Sequence, residues 1–172
     1  YTFAPHSFDV VTSRFGVMFF PQPVAAFGNI RRCAKSPARL HFLCWRGLDE
    51  NPWMALPAQA AFSILTPPDK AAPGSPGPFS LSDPARLHQV LGEAGFVDIE
   101  MREVNETIML GQPDSALDWL TNMGPAARAL AAASPADFAA AQDAMRKVLE
   151  AHQSAIGVSM SGAAWLVSAR TA

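Results

Sequence analysis

The residues best placed to do chemistry close a short β-rich run, Phe8-Asp9-Val10-Val11-Thr12-Ser13, which Arg14 and Phe15 extend. Sites in open α/β sheets form at the carboxyl ends of strands, so Ser13, Arg14 and Phe15 are the first candidates. Arg14 is the sharpest of them. A cation among Phe15, Val17, Met18, Phe19 and Phe20 requires a carboxylate, from the protein or from a ligand. Trp45 ends a second apolar run, and Trp53 and Met54 lie in the segment after it. With Met18 and Phe19 they offer flat, polarisable surface that suits a flat apolar ligand and ordinary packing equally.

Acid–base machinery is absent from the pattern. His6, His41, His88 and His152 stand apart, with no His/Asp pair and no Ser/His/Asp order at a useful spacing. They read as structural or surface histidines, His88 on the polar side of its helix. Cys33 and Cys44 are too few for a metal cage or a disulfide framework, so no metal is expected. Each sits among apolar residues, as a buried thiol of a reducing, cytoplasmic compartment would.

The elements that must hold these residues alternate in type. Phe8–Ser13 reads as a strand, Gln22–Ala34 as a helix with Pro23 in its first turn, and Arg39–Arg46 as a strand apolar at both phases. Such a strand suits a parallel sheet covered on both faces. Asn51–Leu65 reads as a helix made irregular by Pro57, and the twelve residues Pro67–Pro78 hold five prolines and two glycines, a looped connection. Asp83 caps a helix with Pro84 at N1, a stripe of Leu87, Val90, Leu91 and Ala94, and Gly95 just past its end. Val97–Arg102 alternates, with Glu100, Arg102 and Glu103 on a solvated face. Asp114–Ala133, broken at Gly124-Pro125, and Ser134–Gln153 read as helices, and Ala163–Ser168 as a last strand.

The 172 residues are enough for one domain, at most one with an appendage. With 49% hydrophobic and 16% charged residues, the chain can repay the entropy of ordering and is not disordered. A net charge of −2 provides no field for nucleic acid, and the long uncharged stretch 51–68 is broken by Pro52 and Pro57 and makes a poor membrane span. Tyr1-Thr2-Phe3-Ala4-Pro5 has no signal-peptide pattern and reads as the interior of a longer chain.

Four segments in this order resemble the class I S-adenosylmethionine-dependent methyltransferases, closest to the ubiquinone/menaquinone-biosynthesis-type (methyltransferase type 11) branch. Residues 7–20 resemble the family's fourth strand and the motif after it. Residues 25–32 resemble the next helix, 39–46 the fifth strand, and 79–96 the helix leading into the sixth strand. The resemblance implies an α/β fold: the C-terminal portion of a Rossmann-like methyltransferase sheet, strands 4-5-7-6 with the last strand antiparallel and helices on both faces. Residues 1–172 would form a partial domain whose N-terminal cofactor-binding strands are absent, with 51–78 as a candidate lid or acceptor-pocket segment. The family's Pro-Gly-Gly turn before the fifth strand is replaced by Ser36-Pro37-Ala38, so that turn takes another shape. The glycine-rich loop after the first strand and the acid ending the second are also missing.

The resemblance further implies S-adenosyl-L-methionine as cofactor, with Ser13, Arg14 and Phe15 lining its methionine side. Met18, Phe19, Trp45, Trp53 and Met54 would face a small-molecule acceptor, with no nucleic acid and no membrane span involved. Methyl transfer from a sulfonium needs in-line positioning in a water-poor pocket more than acid–base work. No catalytic residue is therefore singled out. In the order 3-2-1-4-5-7-6 the strand at 8–13 is left as a raw edge, which points to a homodimer through it or to a missing half supplied elsewhere. The alternative is a non-catalytic half-domain, or a fragment, that self-associates there.

Overall fold

The computed structural model describes residues 3–69, 72 and 74–172. In chain order the elements are β1 (Phe8–Arg14), α1 (Pro23–Cys33), β2 (Ala34–Trp45), α2 (Pro52–Phe62), α3 (Pro84–Glu93), β3 (Phe96–Gly111), α4 (Pro113–Asn122), α5 (Ala127–Ala131), α6 (Pro135–Ala151), β4 (Gln153–Ser154) and β5 (Gly157–Thr171). Single 3-10 turns stand at Val17–Phe19 and Leu48–Glu50. The sheet order is β1-β2-β5-β3, with β4 on β5 beside that path. β1 and β2 are parallel, whereas β5 runs antiparallel to β2. This is the order expected for strands 4-5-7-6 with an antiparallel last strand.

The chain divides into two compact units, Tyr1–Gly47 with Ala72–Val104 and Ala163–Ala172, and Leu48–Ala71 with Asn105–Gly162. In the first, α1 and α3 pack together, and Phe27 from α1 meets Leu87, Val90 and Leu91 of α3 in one core with Leu40, Phe42 and Cys44 of β2. β2 is not covered equally on its two sides. Leu40, Phe42 and Cys44 are buried while His41, Leu43 and Trp45 are only half-buried, because both helices lie against the first phase. On β3, Asp98, Glu100 and Arg102 are exposed, as their polarity demands, and Asp98 pairs with Arg170 at 3.2 Å.

Local signals act as expected on α3. Asp83 Oδ1 accepts from the Ala85 amide at 2.9 Å, which satisfies one of the orphan donors of the first turn. Gly95 takes φ +85° past the last turn, and its carbonyl accepts from Arg31 Nε of α1 at 2.8 Å. Phe96 folds back into the core.

Three boundaries depart from the sequence expectation. β2 starts at Ala34 because Phe8 pairs with Ala34 before the ladder jumps to Val10 and Arg39, leaving a bulge that contains the cis Ser36–Pro37 peptide. Thr171 ties this bulge down, its Oγ1 accepting from the Ala38 amide at 2.8 Å and donating to the Lys35 carbonyl at 2.7 Å. β3 and β5 also run well past the expected six residues, to 16 and 15. In the extensions Val104, Ile108, Val158 and Met160 are interleaved with Asn, Glu, Ser and Gly, which weakens the β signal.

In the second unit α6 packs against α2 and α4. Its core joins Met54, Ala58 and Ala61 of α2 to Leu117 and Leu120 of α4 and to Met145 and Leu149 of α6. α2 continues through Pro57, which is buried inside the helix. Ser134 begins α6 as a capping box in which Asp137 replaces the usual Glu. The Ser134 hydroxyl accepts from the Asp137 amide at 3.2 Å and donates to its carboxylate at 2.7 Å.

Candidate functional site

β1 and β2 end side by side because they are parallel, with Ser13 opposite Phe42 and Arg14 opposite Leu43. One residue beyond β1, the Phe15 amide donates to the Leu43 carbonyl at 3.0 Å, and Phe15 then turns into the left-handed region at φ +59°. That conformation costs a bulky residue energy, about 1–3 kcal/mol, and persists only where the surroundings enforce it. Here the Phe15 ring stacks on Trp45, centroids 4.0 Å apart and planes 15° from parallel. The result is a flat aromatic ledge at the carboxyl ends of two adjacent parallel strands.

Met18 supports the ledge from below. It is wholly buried, and its Sδ accepts from the Trp45 amide at 3.3 Å. Its carbonyl accepts from the Gly77 amide at 3.1 Å and from the Ser80 hydroxyl at 2.5 Å, which anchors the chain after residue 76. Ser13 is half-buried, and its Oγ would lie 3.3 Å from a Cβ at Gly16. Arg14 is exposed, and its guanidinium makes no ion pair among the described residues. Water therefore does what a buried carboxylate would have had to do, and the cation remains available to an anionic ligand.

Phe15, Met18 and Trp45 are thus in contact in the first unit, with Ser13 and Arg14 preceding them at the end of β1. Phe19 belongs there as well but stands 53% exposed in the 3-10 turn. Trp53 and Met54 lie in the second unit, both buried on α2. Trp53 donates from Nε1 to Asn51 Oδ1 at 3.1 Å and packs on Trp119, ring centroids 5.6 Å apart. The segment 51–78 divides between the two units, and its residues Lys70, Ala71 and Pro73 lie outside the described residues.

A cluster that the sequence did not disclose adjoins Trp45. Arg46 Nη1 pairs with Glu103 Oε2 at 3.0 Å, its guanidinium lies 4.9 Å from the Trp165 ring centroid, and Trp165 Nε1 donates to the Ser82 carbonyl at 2.9 Å. Glu103 is exposed, as expected of a solvated face, and from there also partners a largely covered arginine. A cation–π contact with an ion pair on its far side fixes the end of β2 firmly.

Cys33 and Cys44 are free and buried. Burial pushes the Cys44 thiol up to about 12 from 9.0, so it is no nucleophile at neutral pH. Between those values the unfolded chain has lost a proton that the folded chain keeps, so stability falls as pH rises from about 9 towards 12. Urea midpoints measured across that range should decline, with a shallower slope in Cys44→Ala. Among the described residues no group of three or more His, Cys, Asp or Glu could hold a metal, and no helix is long and apolar enough to cross a membrane.

No protein-family model matches the chain, and no curated protein matches it. Solved structures share its fold. A candidate methyltransferase of Bacillus halodurans C-125 superposes with a TM-score of 0.53 at 14% identity, over 98% of this chain and 71% of that one. The YcgJ protein of Bacillus subtilis gives 0.53 at 13%, over 98% of this chain and 66% of that one. Phosphoethanolamine N-methyltransferase 2 of Haemonchus contortus, solved with S-adenosyl-L-methionine, overlaps at 0.46 and 15%, over 99% and 35%. The architecture is accordingly a Rossmann-like methyltransferase α/β fold, and the chain spans about two thirds of the two proteins that superpose best among these three.

Proposed function

We propose that the chain is the acceptor-side portion of an S-adenosylmethionine-dependent methyltransferase acting on a small molecule. The observation that carries this reading is the Phe15–Trp45 ledge with Arg14 beside it, at the carboxyl ends of two parallel strands in a methyltransferase-like sheet. The donor set offers one group for an end of S-adenosyl-L-methionine: the Arg14 guanidinium suits its carboxylate, with Ser13 before it on the other face of β1. That cofactor, when bound, supplies an electrophilic methyl on a sulfonium. The chain's own part is to hold the methionine end and to offer a dry aromatic surface on which an acceptor lies flat. Phe19 and Trp45 would border that surface, with Met18 packed beneath it. No acid–base residue is assigned, in keeping with chemistry that depends on alignment.

A second reading rests on the edge of the sheet. β1 ends the strand order, and its Phe8 and Val10 are 39% and 51% exposed, an apolar edge able to pair with another chain. On that reading the half-domain self-associates through residues 8–13 and has no catalytic role. Sedimentation at rising concentration separates the two, since a chain that remains monomeric removes this alternative.

Calorimetric titration with S-adenosylhomocysteine tests the enzyme reading. Arg14→Ala should weaken binding by about 1–3 kcal/mol, the loss expected for a charged hydrogen bond to a carboxylate. Equal affinity in the variant would retire Arg14 as a cofactor ligand.

A further inference from the structure

The second unit carries an aromatic surface to which the ledge at Trp45 gives no role. Trp119 on α4 is 40% exposed, and Met123, one turn further on, is 61% exposed. Beneath Trp119 lies Trp53, buried, its indole held by Asn51 Oδ1 and tilted 31° to the upper ring. The seat is firm. Ala116, Leu117 and Leu120 bury the other side of α4, α4 packs on α6, and Asp114 at the start of α4 pairs with Arg146 of α6.

A wholly uncovered aromatic side chain presents about 150–250 Å². The free part of Trp119 together with Met123 therefore offers on the order of 200 Å², against about 800 Å² per partner in a stable protein interface. This is too little for a second copy and well matched to one face of a small ring system. Indole and thioether are both polarisable, and they favour a flat aromatic partner over an aliphatic one of equal size.

We infer that Trp119 and Met123, backed by Trp53, form a binding site for a neutral fused-ring aromatic molecule. The inference stands apart from the methyl-transfer reading, and the molecule bound here is not the acceptor placed on the ledge. Binding itself needs no cofactor.

The test uses the whole chain without cofactor and 2-naphthol as probe, followed by the probe's own fluorescence anisotropy. Trp119→Ala should weaken binding at least tenfold, Trp119→Phe should remain within about threefold of the parent, and Met123→Ala should fall between them. Decahydro-2-naphthol, of similar outline but not flat, should fail to displace the probe at equal concentration. Parent-like binding by Trp119→Ala, or equal competition by the decahydro compound, overturns the site. So does sedimentation showing a dimer that Trp119→Ala converts to monomer, because the occupant would then be a second copy. If S-adenosylhomocysteine fails to bind while 2-naphthol still does, the cofactor reading falls and this one stands.

Discussion

Replacing Phe27 with alanine is expected to lower the unfolding free energy by about 3–5 kcal/mol, a large share of the 5–15 typical of a domain. Phe27 is wholly buried, and its ring meets Phe20 edge-on at 5.7 Å and Phe42 at 5.5 Å. It packs α1 against β2 through Phe42, within the core that α3 also enters. Truncation removes the transfer energy of the ring and leaves a cavity between a helix and a strand whose backbones are fixed by their own hydrogen bonds. Phe27→Leu should lose less, since it keeps part of the volume. Urea unfolding followed by circular dichroism would read both, and a loss under about 1 kcal/mol for alanine would mean that α1 is not held as described.

Gly157→Ala is expected to be comparably damaging in the second unit, for a different reason. Gly157 takes φ +120°, and a Cβ there would lie 2.7 Å from the Gly111 carbonyl oxygen, which is backbone and cannot rotate away. Backbone strain alone costs about 1–3 kcal/mol, and the clash adds to it. Gly111 provides the control. It also has positive φ, +84°, but a Cβ there meets nothing within 4 Å, so Gly111→Ala should show the strain without the clash. If the two variants lose equal stability, the close approach of the two turns is not what glycine serves at 157.

The β-α-β start and the capped α3 helix were legible because each rests on local chemistry, whereas the antiparallel return of the last strand followed only from the family resemblance. Asp83, Pro84 and Gly95 bound α3 whatever the tertiary surroundings, and the apolar phases of β2 need only a period of two. What was hidden depends on partners far apart in the chain. Arg46, Glu103 and Trp165 meet across separations of 57 residues and more, with no periodicity to announce them. Phe15 conceals its conformation for a similar reason. Glycine is the residue that adopts positive φ most easily, yet Gly16 sits at φ −91° and Phe15, its ring stacked on Trp45, takes φ +59°. Arg14 was expected to require a carboxylate, and among the described residues solvent serves it instead. Its solvent exposure was not foreseen, because the edge position of β1 is set by topology and not by its own residues.

The site rests most directly on one measurement, amide and indole proton–nitrogen NMR spectra of the 172-residue chain titrated with S-adenosylhomocysteine to millimolar concentration. Shifts concentrated at Ser13, Arg14, Phe15 and the Trp45 ring, and lost in Arg14→Ala, are the result this account predicts. Unmoved resonances at those four residues, or shifts confined to other parts of the chain, would contradict it.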